Sequence, residues 1–141
     1  MRKLTLSSSL CLLLALGAVG CSDDDPAVFN STLDAASQVP PGSSTATGTT
    51  TFDFDGDSSV RFSVDVRAIT GVTAVHIHSG ASGATGPERV ELFSGPATGP
   101  TDGQLTEGSF GPGDVDGTSL DNLLDEMRNG TAYVDVHTVA N

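Results

Sequence analysis

The chain's three histidines carry the side-chain types best suited to holding an ion, and two of them stand two residues apart. His76 and His78 lie in VTAVHIHS, and His137 closes TAYVDVH. In an extended chain alternate side chains share a face, so His76 and His78 leave one side of a strand with Cα atoms about 7 Å apart. Rings at that spacing reach a common ion, and a third imidazole from a neighbouring strand would complete a zinc or copper site. A fourth ligand is not visible. Asp135 shares the face of His137, as a ligand or as an acceptor that orients a ring. The competing reading gives the three histidines a structural role, as N–H donors that hold loop carbonyls against the sheet. The structural role is the expected one, with the metal site as the alternative.

Other chemistries find little support. No G-x-S-x-G elbow is present, and no serine or cysteine nucleophile stands beside a readable base. The glycines of SGASGATGP (79–87) lack the G-K-[ST] ending that a phosphate loop needs. No catalytic residue is assigned.

The elements that must position these side chains are extended. Val75 and Ile77 alternate with Ala74, His76 and His78, the period of a strand, and SGASGATGP then supplies the residues of a tight loop. Arg89 to Phe93 resumes an extended pattern, with Val90 and Leu92 on one face. Earlier, Phe29, Ser31 and Leu33 begin a first strand that Gln38-Val39-Pro40-Pro41 ends. Phe52 and Phe54, the turn cluster 55–58, and the alternation of Val60, Phe62, Val64 and Val66 spell a hairpin. A weaker strand falls near Gln104 to Phe110, and Thr131 to Val139 is the last. One helix is predicted over Ser119–Arg128, where Leu120, Leu123, Leu124 and Met127 form a single apolar stripe. Thr118 or Ser119 caps its start, and Asn129-Gly130 its end. Short strands with regular turns and one short helix make a single all-β sandwich. Its expected core is Phe52, Phe54, Val60, Phe62, Val64, Val75, Ile77, Leu92, Val134 and Val136.

The first twenty residues read as an export signal. Arg2 and Lys3 precede the apolar run Leu4–Val19, and Ala18-Val19-Gly20 places small residues before Cys21. Residues 1–20 are therefore expected to be a lipoprotein signal peptide, with Cys21 the lipidated residue. Cys11 lies inside the signal, which leaves Cys21 alone and without an internal disulfide partner. Residues 21–27 form an acidic tether, and 28–141 the folded domain. The expected location is the cell envelope, exported and held at a membrane surface through Cys21. Loss of Arg2 and Lys3 leaves four arginines against 18 acidic residues, a net charge of 4 − 18 = −14. Such a surface repels phosphates and argues against nucleic acid as a partner.

Three pieces in order, QVPP with Ala46-Thr47-Gly48, then Val75-His76-Ile77-His78 with the loop to Pro87, then NGTAYVDVHT (129–138), resemble the CHRD domain, the module named after chordin. The resemblance runs from Phe29 to the end. It implies an immunoglobulin-like β-sandwich distantly similar to copper–zinc superoxide dismutases, and it establishes no biochemical activity. The dismutase likeness points to His76, His78 and His137 as copper or zinc ligands in a redox protein. That redox protein is the alternative; the expected function is a non-enzymatic binding or structural module of unknown ligand. Two departures stand out: Gln38 replaces a common glutamate, and the family usually continues past VHT into a further strand of the type GEIRGQ. The chain is therefore expected to be C-terminally truncated or to lack that closing strand, leaving a sheet edge unfilled.

Overall fold

A computed structural model describes residues 26–81 and 83–140. The expected signal peptide, Cys21 and most of the tether lie outside the described residues. None of the described helices is long and apolar enough to cross a membrane.

The chain folds as a two-sheet sandwich. One antiparallel sheet runs in the order β1 (Ala27–Asp34), β2 (Thr47–Phe54), β3 (Val60–Ile69) and β6 (Thr101–Phe110). The other runs β5 (Glu88–Ser94), β4 (Val72–Ser79) and β7 (Ala132–Thr138). The expected hairpin is β2–β3, registered so that Phe52 faces Phe62 and Phe54 faces Val60. After Ile69 the chain leaves one sheet for the other through Thr70-Gly71, and β4 carries the histidine pair into the middle of the three-stranded sheet.

Alternation sorts side chains between the faces of each sheet. Phe52, Phe54, Val60, Val64, Val66, Val72, Val75, Ile77, Val90, Leu92 and Phe110 are buried, and Leu120, Leu123 and Leu124 of the helix join them. The helix, α1, spans Leu120–Asn129. It starts where Ser119 Oγ accepts the Asn122 N–H at 3.2 Å, satisfying one of the donors a helix N-terminus leaves free. It stops at Gly130, whose φ of 68° lies in the left-handed region that a glycine enters without Cβ strain.

Three expected core residues are less enclosed than the pattern implies. Phe62 is half-buried because its neighbour on β6 is Gly108, which has no side chain to cover that flank. Its ring lies over the glycine and against Phe110, with centroids 6.3 Å apart. Val134 and Val136, on the edge strand β7, are half-buried, whereas Val90 and Leu92 on the opposite edge strand are buried. The last strand of the four-stranded sheet begins at Thr101, three residues earlier than expected, since pairing with β3 resumes at Ile69–Thr101 beyond a register shift.

Candidate functional site

The three histidines meet on the outer face of the three-stranded sheet. Val75 and Ile77 of β4 point into the core, so His76 and His78 between and beyond them point away from it. On β7, Tyr133 lies opposite His78, Asp135 opposite His76, and His137 opposite Ala74. The small Ala74 leaves the space above it to the rings. On β5, Glu91 lies opposite His76 and Glu88 opposite His78. Residues three apart normally face opposite sides of a strand. Here Arg89 is skipped by the pairing, a β-bulge that turns both glutamates onto the histidine face.

The rings form a compact group. Centroid separations are 5.1 Å for His76–His137, 5.9 Å for His76–His78 and 6.3 Å for His78–His137. One ring nitrogen from each lies within 4.8 Å of the other two. Three points so spaced fit a circle of radius no more than about 2.8 Å (4.8 Å/√3), so a single position lies that close to all three. Zinc–imidazole bonds are about 2.0–2.1 Å long, so closure needs less than about an ångström of movement at each ring.

Hydrogen bonding differs from ring to ring. His78 Nδ1 lies 3.0 Å from the Gly86 carbonyl, which only accepts, so Nδ1 carries the proton and Nε2 of the neutral ring keeps its lone pair. That Nε2 is buried and has no hydrogen-bond partner among the described residues. His76 Nδ1 is in the same condition. Its ring is only 13 % exposed and sits between two carboxylates, with Glu88 Oε2 3.6 Å from Nδ1 and Glu91 Oε2 3.9 Å from Nε2. Asp135 Oδ2 lies 3.7 Å from His137 Nε2. Of the three rings, His78 alone makes the loop-carbonyl bond that a purely structural role implies. A buried polar atom left without a partner costs about 1–3 kcal/mol, so both nitrogens are places for a water or an ion to bind.

The loop after β4 holds His78 in place. Tyr133 stacks on the ring at 5.2 Å and 11°. The Tyr133 hydroxyl accepts the Gly86 N–H at 3.1 Å, so Gly86 is tied through both its backbone groups. Its backbone also approaches Ser79 so closely that a Cβ there would lie 1.6 Å from the Ser79 carbonyl oxygen. Below the loop, Arg89 Nε donates to Ser79 Oγ at 2.7 Å, and Ser79 Oγ donates to Glu126 of α1. Arg89 also donates to the Asp116 carbonyl at 3.1 Å. Strand ends, helix and preceding loop are thereby fastened together, with the histidine face above a fixed base.

His76, His78 and His137 are thus brought together as their strand positions imply, and Asp135 lies beside His137. Glu88, Glu91 and Gly86 add themselves from the structure. Two surface depressions lie on the four-stranded sheet, one of them beside Phe62, Arg61 and Glu107, and neither is lined by a histidine. Comparison with curated proteins and with solved structures finds no match to this chain. The family model for the CHRD domain, in contrast, matches residues 29–141, the sandwich with its histidine face included. The chain belongs to the CHRD domain family.

Proposed function

We propose that this CHRD domain is an exported binding module whose ligand is a divalent transition-metal ion, zinc or copper, held by His76, His78 and His137. One observation carries the reading: two ring nitrogens are buried without hydrogen-bond partners inside a trio whose nitrogens lie within 4.8 Å of one another. The donor set fits the ion, since neutral imidazoles suit zinc and copper. His78 has the arrangement usual for a ligating histidine, its far N–H given to a backbone carbonyl. Glu88, Glu91 and Asp135 add negative charge around the rings, which favours a cation.

Calorimetric titration of the untagged chain, stripped of metal, is expected to give one equivalent of zinc or copper bound, with affinity falling in acid as protons compete for the rings. His76→Ala and His137→Ala should each lower that affinity by roughly 100-fold, at or above the loss seen when an outer-shell partner is removed. The second reading, three structural histidines, is favoured by the His78–Gly86 bond. It predicts instead that His76→Ala lowers stability equally with and without metal, and that the wild type binds none.

The anchoring of the module at a membrane through Cys21 is supported by the apolar run, the small residues before the cysteine and the lack of another cysteine after it. Radiolabelled fatty acid fed to expressing cells should enter the wild type and not Cys21→Ser. Equal labelling of the two would remove the anchor from the proposal.

A further inference from the structure

We infer that Glu88 supplies a fourth ligand to the ion, closing the site into a three-histidine, one-carboxylate centre. This rests on the metal-binding reading above and adds to it the residue that completes coordination. Three observations single out Glu88. The bulge at Arg89 places it directly across from His78, on the same face as all three rings. Its Oε2 lies 3.6 Å from His76 Nδ1, one of the two buried nitrogens without a hydrogen-bond partner. Two ligands at about 2.0–2.1 Å on a tetrahedral ion stand roughly 3.4 Å apart, so a carboxylate oxygen and a ring nitrogen at 3.6 Å are spaced as neighbours on one ion; the carboxylate lies outside the 4.8 Å group of the three histidines and, being nearly half exposed, swings inward to join it.

Glu91 has a different part. It approaches the opposite nitrogen of the same ring, His76 Nε2, at 3.9 Å, and is the more exposed of the two. With Nδ1 on the ion, Nε2 carries the proton and Glu91 is the acceptor toward which it points. His76 then repeats with a carboxylate what His78 does with the Gly86 carbonyl. Both rings are oriented from behind, and each turns its unpartnered nitrogen to the ion. Four protein ligands leave no position for an exchangeable water, the mark of a holding site in contrast to the open position of a catalytic one.

The test uses the full chain, chelator-stripped and titrated with zinc against a competing chelator, together with water-proton relaxation of the copper-loaded protein. Glu88→Gln is expected to lower affinity by about 100-fold or more, beyond the range for an outer-shell partner, whereas Glu91→Gln should lose about 10-fold or less. The copper-loaded Glu88→Gln protein should relax water faster than the wild type, because water takes the vacated position. Glu88→His, which returns a ligand, should recover binding. Glu88 is nearly half exposed, so the metal-free variants should unfold at the wild-type midpoint, which separates a lost ligand from a lost fold. Wild type that binds no metal would overturn the three-histidine site and this inference together. Wild type that binds, with Glu88→Gln equal to it or with Glu91→Gln taking the larger loss, would overturn the role of Glu88 alone.

Discussion

Phe54→Ala is expected to cost about 3–5 kcal/mol of folding stability, read as a lowered urea midpoint at unchanged slope. Phe54 is the largest of the fully buried side chains, 2 % exposed, on the strand that β1 and β3 enclose. Its loss removes the transfer energy of an aromatic ring and leaves a cavity that the neighbouring strands close only in part. A domain of this size is stable by about 5–15 kcal/mol, so one substitution removes a large share. Phe62→Ala is the informative comparison. Phe62 is its neighbour in the same hairpin, but it is half-buried over Gly108, so its truncation should cost distinctly less. Equal losses at the two positions would mean that Phe62 is enclosed after all. A loss below about 1 kcal/mol at Phe54 would place that ring at the surface.

Gly86→Ala should damage stability and, at the proposed ion site, metal affinity in one step. The new Cβ would fall 1.6 Å from the Ser79 carbonyl oxygen and 2.8 Å from its carbon, and because both are backbone atoms no rotamer relieves the clash. The loop must move. In moving it strains the Ser79 N–H bond to the Pro87 carbonyl and pulls the Gly86 carbonyl from His78 and the Gly86 N–H from Tyr133. Overpacking of this kind costs about 1–3 kcal/mol or more. Loss of the acceptor that orients His78 should lower metal affinity by a further 10–100-fold, as removal of outer-shell partners generally does, a figure on the order of those seen elsewhere. Urea unfolding and zinc titration of the same preparation check both parts. Gly99→Ala, where a Cβ meets nothing within 4 Å, is the control and should match the wild type in each. Wild-type behaviour of Gly86→Ala would show that the loop is not packed on Ser79.

Much of this architecture is legible from side-chain alternation, because burial on one face of a strand imposes a period of two. Val75 and Ile77 against His76 and His78 gave the orientation of β4, and Tyr133, Asp135 and His137 against Val134 and Val136 gave that of β7. The stripe of Leu120, Leu123 and Leu124 likewise marked the helix, with Ser119 and Gly130 at its ends. What alternation does not carry is the register between strands. The bulge that skips Arg89 arises from pairing β5 with β4, a long-range event with no local signature, and without it Glu88 and Glu91 read as residues on opposite faces. Phe62 failed as a core residue for a similar reason, since its exposure is decided by a glycine 46 positions away in the chain that happens to lie beside it.

The outward placement of the histidines has a consequence for how this domain can change over time. Along β4 and β7, consecutive residues answer to separate demands: one register must remain apolar to close the sandwich, and the other is free of that duty. Substitutions in the outer register leave the buried apolar contacts in place, although His78 and Tyr133 also hold the Gly86 loop. A lineage without the proposed ion site would keep its sandwich, and one that acquired a different outer face would present it on an inherited frame. The strand behaves as two interleaved texts, each open to revision while the other is held constant.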